Sequence, residues 1–179
     1  MSTTTHLMTA EELILLHDGL RHELIKGELL TLSPAGADHG AKVMNLSAPL
    51  AVHVKRNSLG VVFTAETGFK LESDPDTVLA PDIAFVSKER VTILPVNYWD
   101  ITPDLVVEVI SPSDSKREIK LKTQRWLEFG ARLVWLVRPK TKTVEVHRPN
   151  SNYTLTERDV LSGEEVVAGF QIPVSEIFD

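Results

Sequence analysis

The sequence predicts an α/β (α+β) fold with a central mixed β-sheet flanked by helices, an N-terminal helix and hairpin, and β-strands at the C-terminal end. One observation is the order of the patterns: helix, hairpin, helix, three strands, helix and more strands, unlike a run of parallel βαβ units. Another is the segment 105–110, where apolar side chains fall on both faces of one strand, as in the middle of a covered sheet. The 179 residues, 42% of them hydrophobic, suit one domain over 1–179, with residues 1–8 flexible.

The composition excludes several classes of protein. No run of eighteen apolar residues is present and the N-terminus lacks a signal-peptide pattern, so we expect no membrane association and a cytoplasmic location. The absence of cysteine excludes a disulfide scaffold, a thiolate metal site and a cysteine nucleophile.

The net charge of −6 argues against a protein that coats nucleic acid, but the charge is unevenly distributed. Residues 116–148 carry ten lysines and arginines against three glutamates, which gives +7 there and −13 over the rest of the chain. This basic segment is either a solvated surface of mixed charge or a patch that faces phosphates.

Local patterns predict the elements of the N-terminal half. Thr9 and Glu12 fit a capping box that opens a short helix, ended by Asp18-Gly19. Lys26-Gly27 fits the tight turn of a hairpin. A helix is expected over residues 38–57, with His39 in line with its apolar stripe; a core histidine is the simpler reading of that residue.

The remaining patterns predict mainly strands. A helix capped by Ser113 or Asp114 is expected to run to Phe129, and a last helical turn over 175–178. The predicted strands are Val61–Thr64, Gly68–Leu71, Leu79–Val86, Leu105–Ile110, Leu133–Val137, Val144–His147, Tyr153–Leu155 and one near Val166–Val167.

Glu108 is the most informative residue, because it lies inside a strand that is apolar on both faces. A buried carboxylate requires a proton, a cation or a metal as partner, and a structural ion pair is the plain alternative. Asp82 is expected on a neighbouring strand. Two adjacent carboxylates repel each other, and a hard divalent cation such as Mg²⁺ relieves that repulsion.

The helix after Glu108 supplies a candidate cation. At about 100° per residue, Lys122 falls on the same face as Ile119, Thr123 and Trp126. Either it extends to the surface, or it points inward to the Glu108 site and there orients a water or stabilises a pentavalent phosphorus.

Several of these motifs together resemble the Uma-two family of putative restriction endonucleases, over nearly the whole chain from Met8 to Phe178. The resemblance is carried by the residues Glu23–Leu29, His39, Ala80–Val86, Pro103–Ser113, Lys122, Trp126, Gly130 and Val134–Val137.

The resemblance implies the restriction-endonuclease-like fold of the PD-(D/E)XK superfamily, with a divalent metal, Mg²⁺ or Mn²⁺, held by Asp82 and Glu108. The usual lysine two residues after the glutamate is Ile110 here, and Lys122 stands where the family has a lysine on the next helix. Glu23, Glu28 and His39 match further family positions with auxiliary roles. Trp126, where the family often has tyrosine, reads as a core residue.

The first functional hypothesis is a divalent-metal-dependent nuclease that hydrolyses DNA phosphodiester bonds through a metal-activated water. Asp82, Glu108 and Lys122 are its candidate catalytic residues, and cleavage of both strands would suit a homodimer. The alternative is a catalytically inactive member of the same fold that binds nucleic acid or protein. No nucleophile elbow, glycine-rich phosphate loop or HExxH pair suggests another chemistry.

Overall fold

The computed structural model describes residues 6–91, 93–112 and 114–179, and a mixed six-stranded sheet is the centre of this part of the chain. Its strands stand in the order β10-β9-β8-β7-β6-β3, and β7 pairs with β8 in parallel while the other neighbours are antiparallel. The strands are β3 (Gly60–Thr64), β6 (Ile83–Ser87), β7 (Leu105–Val109), β8 (Leu133–Arg138), β9 (Thr143–Arg148) and β10 (Ser151–Thr156). The predicted mixed sheet is confirmed.

A second, antiparallel sheet has the strand order β2-β1-β5-β4, and a separate pair of short strands follows near the C-terminal end. The strands of the second sheet are β1 (Arg21–Ile25), β2 (Glu28–Leu32), β4 (Phe69–Glu72) and β5 (Thr77–Leu79), and the pair consists of β11 (Val160–Ser162) and β12 (Gln171–Pro173). The helices are α1 (Ala10–Ile14), α2 (Ala37–Arg56), α3 (Lys116–Glu128) and α4 (Val174–Phe178), with a 3-10 turn at Pro139–Thr141.

Strand β7 is covered on both faces, as its sequence predicts. Leu105, Val107 and Val109 join the large apolar cluster that includes residues of α2 and α4. Val106 points the other way and joins a cluster with Ile119 and Trp126 of α3. Glu108 lies on this second face, so α3 is the helix that covers it.

The predicted strand Leu79–Val86 is wrong, because the structure divides it into β5 and β6. Pro81 lies in the gap; it has no N–H to give to a ladder, and it interrupts a strand inside a sheet. The chain therefore passes from the second sheet into the central sheet at Ala80–Asp82. This break places Asp82 directly before β6, at the junction of the two sheets.

Two further predictions need correction. Helix α3 is capped by Ser115, whose side chain accepts the N–H of Glu118, whereas Asp114 accepts the N–H of Ser111; Ser113 lies outside the described residues. Val166 and Val167 form a turn and pack into the core, and β11 and β12 stand on either side of them. These two valines are apolar because they are buried in the core, and not because they belong to a strand.

The N-terminal hairpin and the start of the first helix are as predicted, but α1 ends at Ile14 and does not continue to Asp18-Gly19. Lys26 and Gly27 have φ of 52° and 79°, which is the geometry of a tight hairpin turn, and Thr9 and Glu12 complete the capping box of α1. For the predicted flexibility of residues 1–8, residues 1–5 lie outside the described part, while the N–H of Met8 donates to the carbonyl of Gly27 at 2.9 Å. The single domain over 1–179 stays a prediction.

Among the described residues, no helix is both long enough and apolar enough to cross a membrane.

Candidate active site

A cleft of about 410 Å³ opens at the junction of the two sheets, between the N-terminal end of α2 and the first half of α3. Its wall is built from β1 and β2, the Ala80–Asp82 connection, the end of β7 and α3. Five of the six sequence-predicted site residues line it: Glu23, His39, Asp82, Glu108 and Lys122.

Glu108 lies at the inner wall of the cleft, with its side chain 12% exposed. Its Oε1 accepts a hydrogen bond from the Trp126 indole Nε1 at 2.9 Å and lies 3.1 Å from the Lys122 Nζ. Burial raises the pKa of Glu108 to about 7, the positive charge of Lys122 opposes that rise, and the carboxylates of Asp82 and Glu23 add to it. The negative charge on Glu108 is therefore only partly compensated.

Lys122 points inward, as the helical pattern of its sequence suggests. Its Nζ lies 3.1 Å from Glu23 Oε1 and 3.1 Å from Glu108 Oε1. Burial by itself would lower the pKa of this ammonium, but the two carboxylates outweigh burial and raise the pKa above its usual value. Lys122 is consequently a cation at neutral pH.

Asp82 is held beside Glu108 by the backbone. Its Oδ2 accepts the N–H of Val109, the residue directly after Glu108, at 2.7 Å. The same oxygen lies 3.2 Å from the His39 Nε2, and this hydrogen bond raises the pKa of His39. The two carboxylates thus lie at one edge of the central sheet, Glu108 on β7 and Asp82 directly before the neighbouring strand β6, whereas the sequence predicted Asp82 on the strand itself.

Glu23 has a more central position than its sequence indicated. Its side chain is 2% exposed, and its Oε1 accepts the N–H of Ala80 at 2.9 Å as well as the Lys122 ammonium. It therefore connects β1, the interstrand connection and α3. Glu28, by contrast, is exposed beside the hairpin turn and is not among the lining residues of the cleft.

Trp126 was interpreted from the sequence as a core residue alone. The ring is fully buried, but its N–H donates to Glu108. A signal was available, since Trp126 follows Lys122 by four residues and therefore shares its face of the helix.

Ile110 packs against the apolar cluster under α3, and its N–H donates to the carbonyl of Val137. The amine of the site therefore comes from the helix and not from position 110.

The acidic side chains of the cleft limit the kind of metal site that it can form. Within the described ranges, no group of three or more histidine or acidic side chains is arranged to hold a metal ion. Asp82 and Glu108 are nevertheless hard oxygen donors, and Mg²⁺ typically takes one or two carboxylates and completes its shell with water and phosphate oxygens. The residues present fit a partly hydrated Mg²⁺ or Mn²⁺, and they do not fit a site made of protein ligands alone.

A family model described as Uma2, putative restriction endonuclease, matches residues 9–175. The chain belongs to this family. The Uma2 match covers both sheets and all the residues of the cleft described above, so the resemblance seen in the sequence motifs is confirmed.

The Uma2 fold is also found in a solved structure. The crystal structure of a putative nuclease belonging to DUF820 from Anabaena variabilis ATCC 29413 superposes with a TM-score of 0.82 at 20% identity. The superposition covers 96% of this chain and 97% of that one. At this identity the likeness establishes the fold, which confirms the predicted class. A comparison with curated proteins found no match.

Proposed function

We propose that this Uma2 protein is a divalent-metal-dependent nuclease that hydrolyses DNA phosphodiester bonds. The observation that carries the proposal is a surplus of negative charge in an accessible cleft. Three carboxylates, those of Glu23, Asp82 and Glu108, face the ammonium of Lys122 and the imidazole of His39, whose pKa is raised by its hydrogen bond to Asp82. With all five groups ionised, one negative charge is left over.

This surplus distinguishes the site from a structural ion pair. A buried pair that only stabilises a fold needs equal and opposite charges, because an uncompensated charge in a poorly solvated place is costly. Here the pKa of Glu108 is raised to about 7, in the direction expected of a carboxylate without enough positive charge around it. A bound metal cation beside Glu108 would remove that cost.

The residues have distinct roles in this proposal. A bound Mg²⁺ or Mn²⁺ would supply Lewis acidity, lowering the pKa of water and neutralising charge that develops on the phosphate. Asp82 and Glu108 would hold the ion. Lys122 keeps its charge and has three N–H donors, of which Glu23 and Glu108 engage two. The third can donate to a phosphate oxygen and stabilise the negative charge of the transition state.

Two side chains would position others. His39 restrains the carboxylate of Asp82 through the hydrogen bond to its Oδ2, and Glu23 restrains the ammonium of Lys122. Trp126 fixes the rotamer of Glu108 through its indole N–H. Such outer hydrogen bonds orient ligands and catalytic groups without touching the substrate.

The test is a titration of plasmid DNA cleavage with Mg²⁺ and Mn²⁺. We expect cleavage that depends on the metal and that Glu108→Gln or Asp82→Asn reduces at least about 100-fold, since each removes a ligand charge. Glu28→Gln is the matched control, because it makes the same change of charge on the exposed part of the hairpin, and it should cleave like the wild type. Cleavage that survives Glu108→Gln would refute the assignment.

A catalytically inactive binding protein is the second candidate, and one observation favours it: Lys122 already neutralises part of the acidic cluster by contacting two carboxylates. On this reading the cleft takes up no metal. Isothermal titration with Mg²⁺ or Mn²⁺ separates the two, because only the nuclease requires binding that is lost in Glu108→Gln.

A further inference from the structure

The cleft is acidic, yet the proposed substrate is a polyanion, and this raises the question of what attracts DNA to it. Two permanently cationic side chains, Arg21 and Lys122, line the cleft against five carboxylates. Those carboxylates are Glu23, Asp82, Glu108, Asp114 and Glu118. Affinity for duplex DNA comes largely from cations that contact phosphates. Such cations must lie outside the cleft itself.

The topology brings a set of basic residues to the edge of the central sheet at which the cleft opens. Because β8 runs parallel to β7, its end at Arg138 lies at the same edge as Glu108, and the N–H of Ile110 donates to the carbonyl of Val137 at 2.8 Å. The turn that follows β8 carries Lys140. Adjacent strands are about 4.8 Å apart, so this turn stands next to the end of β7.

Helix α3 adds the other members of the set. It begins at Lys116, a few residues after the end of β7, so its first turns lie at the same edge of the sheet. Glu118 and Lys122 line the cleft, whereas Lys116, Arg117 and Lys120 project elsewhere from these turns. We call Lys116, Arg117, Lys120 and Lys140 the basic rim.

The basic rim is available for a ligand. All four side chains are exposed. None of them is within 4.0 Å of a carboxylate oxygen belonging to the described residues. Neighbouring basic side chains do have such partners: Arg138 pairs with Glu145, and Lys142 pairs with Glu157 at 2.9 Å. The rim is therefore a concentration of positive charge without close ion-pair partners among the described residues, and it lies beside the acidic cleft.

We propose that the basic rim binds the phosphate backbone of duplex DNA and so places one phosphate over the acidic cleft. The inference rests on the proposed function and identifies the surface that it requires. Rim cations contact phosphates that flank the reacting one, and the cleft takes the reacting one. Four of the ten basic residues of the segment 116–148 thus contribute to one proposed DNA-binding surface.

The opposite end of the molecule offers a matched control. Lys55 and Arg56 lie at the end of α2, and Lys88 directly follows β6. Both elements have their N-terminal ends near the cleft, where His39 lies in the first turn of α2 and Asp82 directly precedes β6, and they run away from it. These three side chains are exposed and basic like those of the rim. Neutralising them changes the net charge equally, at the far edge of the sheet.

The experiment compares Lys116→Gln/Lys120→Gln/Lys140→Gln with Lys55→Gln/Arg56→Gln/Lys88→Gln. Binding of a labelled DNA duplex is measured in EDTA by fluorescence anisotropy at several salt concentrations. We expect the rim variant to weaken binding and to reduce the slope of log K against log salt by about 2.7, about 0.9 for each lost phosphate contact. The control variant should keep the wild-type slope.

Equal slopes for the two variants, or a rim variant that binds DNA as tightly as the wild type, would refute the proposal that the basic rim binds DNA. Plasmid cleavage tests the proposed nuclease activity separately. If the wild type binds DNA through the basic rim but does not cleave it, the catalytic assignment is refuted and the rim remains a DNA-binding surface. A wild type that does not bind DNA at all excludes the rim as a DNA-binding surface.

Discussion

Glu108 combines a buried position with two hydrogen-bond donors and two carboxylate neighbours. Trp126 and Lys122 stabilise its ionised form, whereas burial, Asp82 and Glu23 disfavour it, and the second group dominates. The side chain is therefore poised between the neutral and the charged state near neutral pH. Such a residue takes up a cation readily, because binding a cation relieves a cost already present in the folded protein.

The raised pKa of Glu108 predicts how stability depends on pH in the metal-free protein. The unfolded carboxyl loses its proton near its usual 4.5, whereas the folded one keeps it until about 7. The folded state thus binds more protons between these values, so stability due to this group is fully present below about 4.5 and lost by about 7.

Thermal unfolding of the wild type and Glu108→Gln checks this prediction. The glutamine variant has no ionisable group at position 108. The difference between its melting temperature and that of the wild type should therefore shift in favour of the variant as pH rises from 5 to 8. The full effect is at most about 3 kcal/mol, or roughly 5–10 °C. Mg²⁺ at pH 8 should stabilise the wild type and not the variant. Parallel pH profiles in EDTA would contradict the raised pKa.

At the scale of elements, the N-terminal hairpin is part of the site because Glu23 reaches from β1 to α3. This connection holds Lys122 beside Glu108 and also fixes the backbone at Ala80, two residues before Asp82. One buried carboxylate therefore orients groups on two other elements. Its removal should disturb the positions of both.

We expect Glu23→Gln to lower the kcat of DNA cleavage about 10–100-fold, with a smaller change in KM, because the variant misplaces Lys122 without removing a group that touches DNA. Steady-state kinetics measures this split. Glu28→Gln, on the same hairpin but outside the cleft, should leave both parameters unchanged. A rise in KM alone for Glu23→Gln would instead indicate a direct contact with the substrate.

Sequence patterns predicted most elements where the pattern is local. The capping box at Thr9, the turn at Lys26-Gly27 and the strand around Glu108 each follow from a few adjacent residues, and each is confirmed. Helical periodicity placed Lys122 on the face that carries Ile119 and Trp126, but it left open whether the side chain extends to the surface or points inward. The structure decides for the inward direction, with the ammonium 3.1 Å from Glu108.

The remaining errors concern information that is not local. The strand Leu79–Val86 reads as one apolar run, and only the pairing of its halves with different sheets shows that Pro81 divides it. The central position of Glu23 depends on how the hairpin packs against α3, which no pattern within β1 encodes. The turn at Val166 is buried by tertiary contacts, and its apolar residues therefore give the same sequence pattern as a buried strand.

At the scale of the whole molecule, charge is separated between an acidic cleft and the basic rim at one edge of the central sheet. A single cleft of this kind addresses one phosphodiester bond at a time. Cleavage of both strands of a duplex in one binding event would need two clefts with opposite strand polarity, which a two-fold dimer would provide.

We accordingly expect a homodimer when the protein is bound to duplex DNA. Sedimentation velocity of the protein with and without a DNA duplex measures this, and two copies per duplex are the expected result. With plasmid DNA, the dimer should yield linear product early. A monomer per duplex, together with nicked circles as the only product, would show that the protein cuts single strands.

The ion pair between Glu23 and Lys122 also has a consequence for the order of folding. It joins residues that are 99 positions apart, so a long loop must close before the pair can form. During synthesis, Glu23, Asp82 and Glu108 leave the ribosome before Lys122 does. A nascent chain consequently carries the acidic residues of the cleft without their cation, and the cleft cannot be completed until about two thirds of the 179 residues have been made.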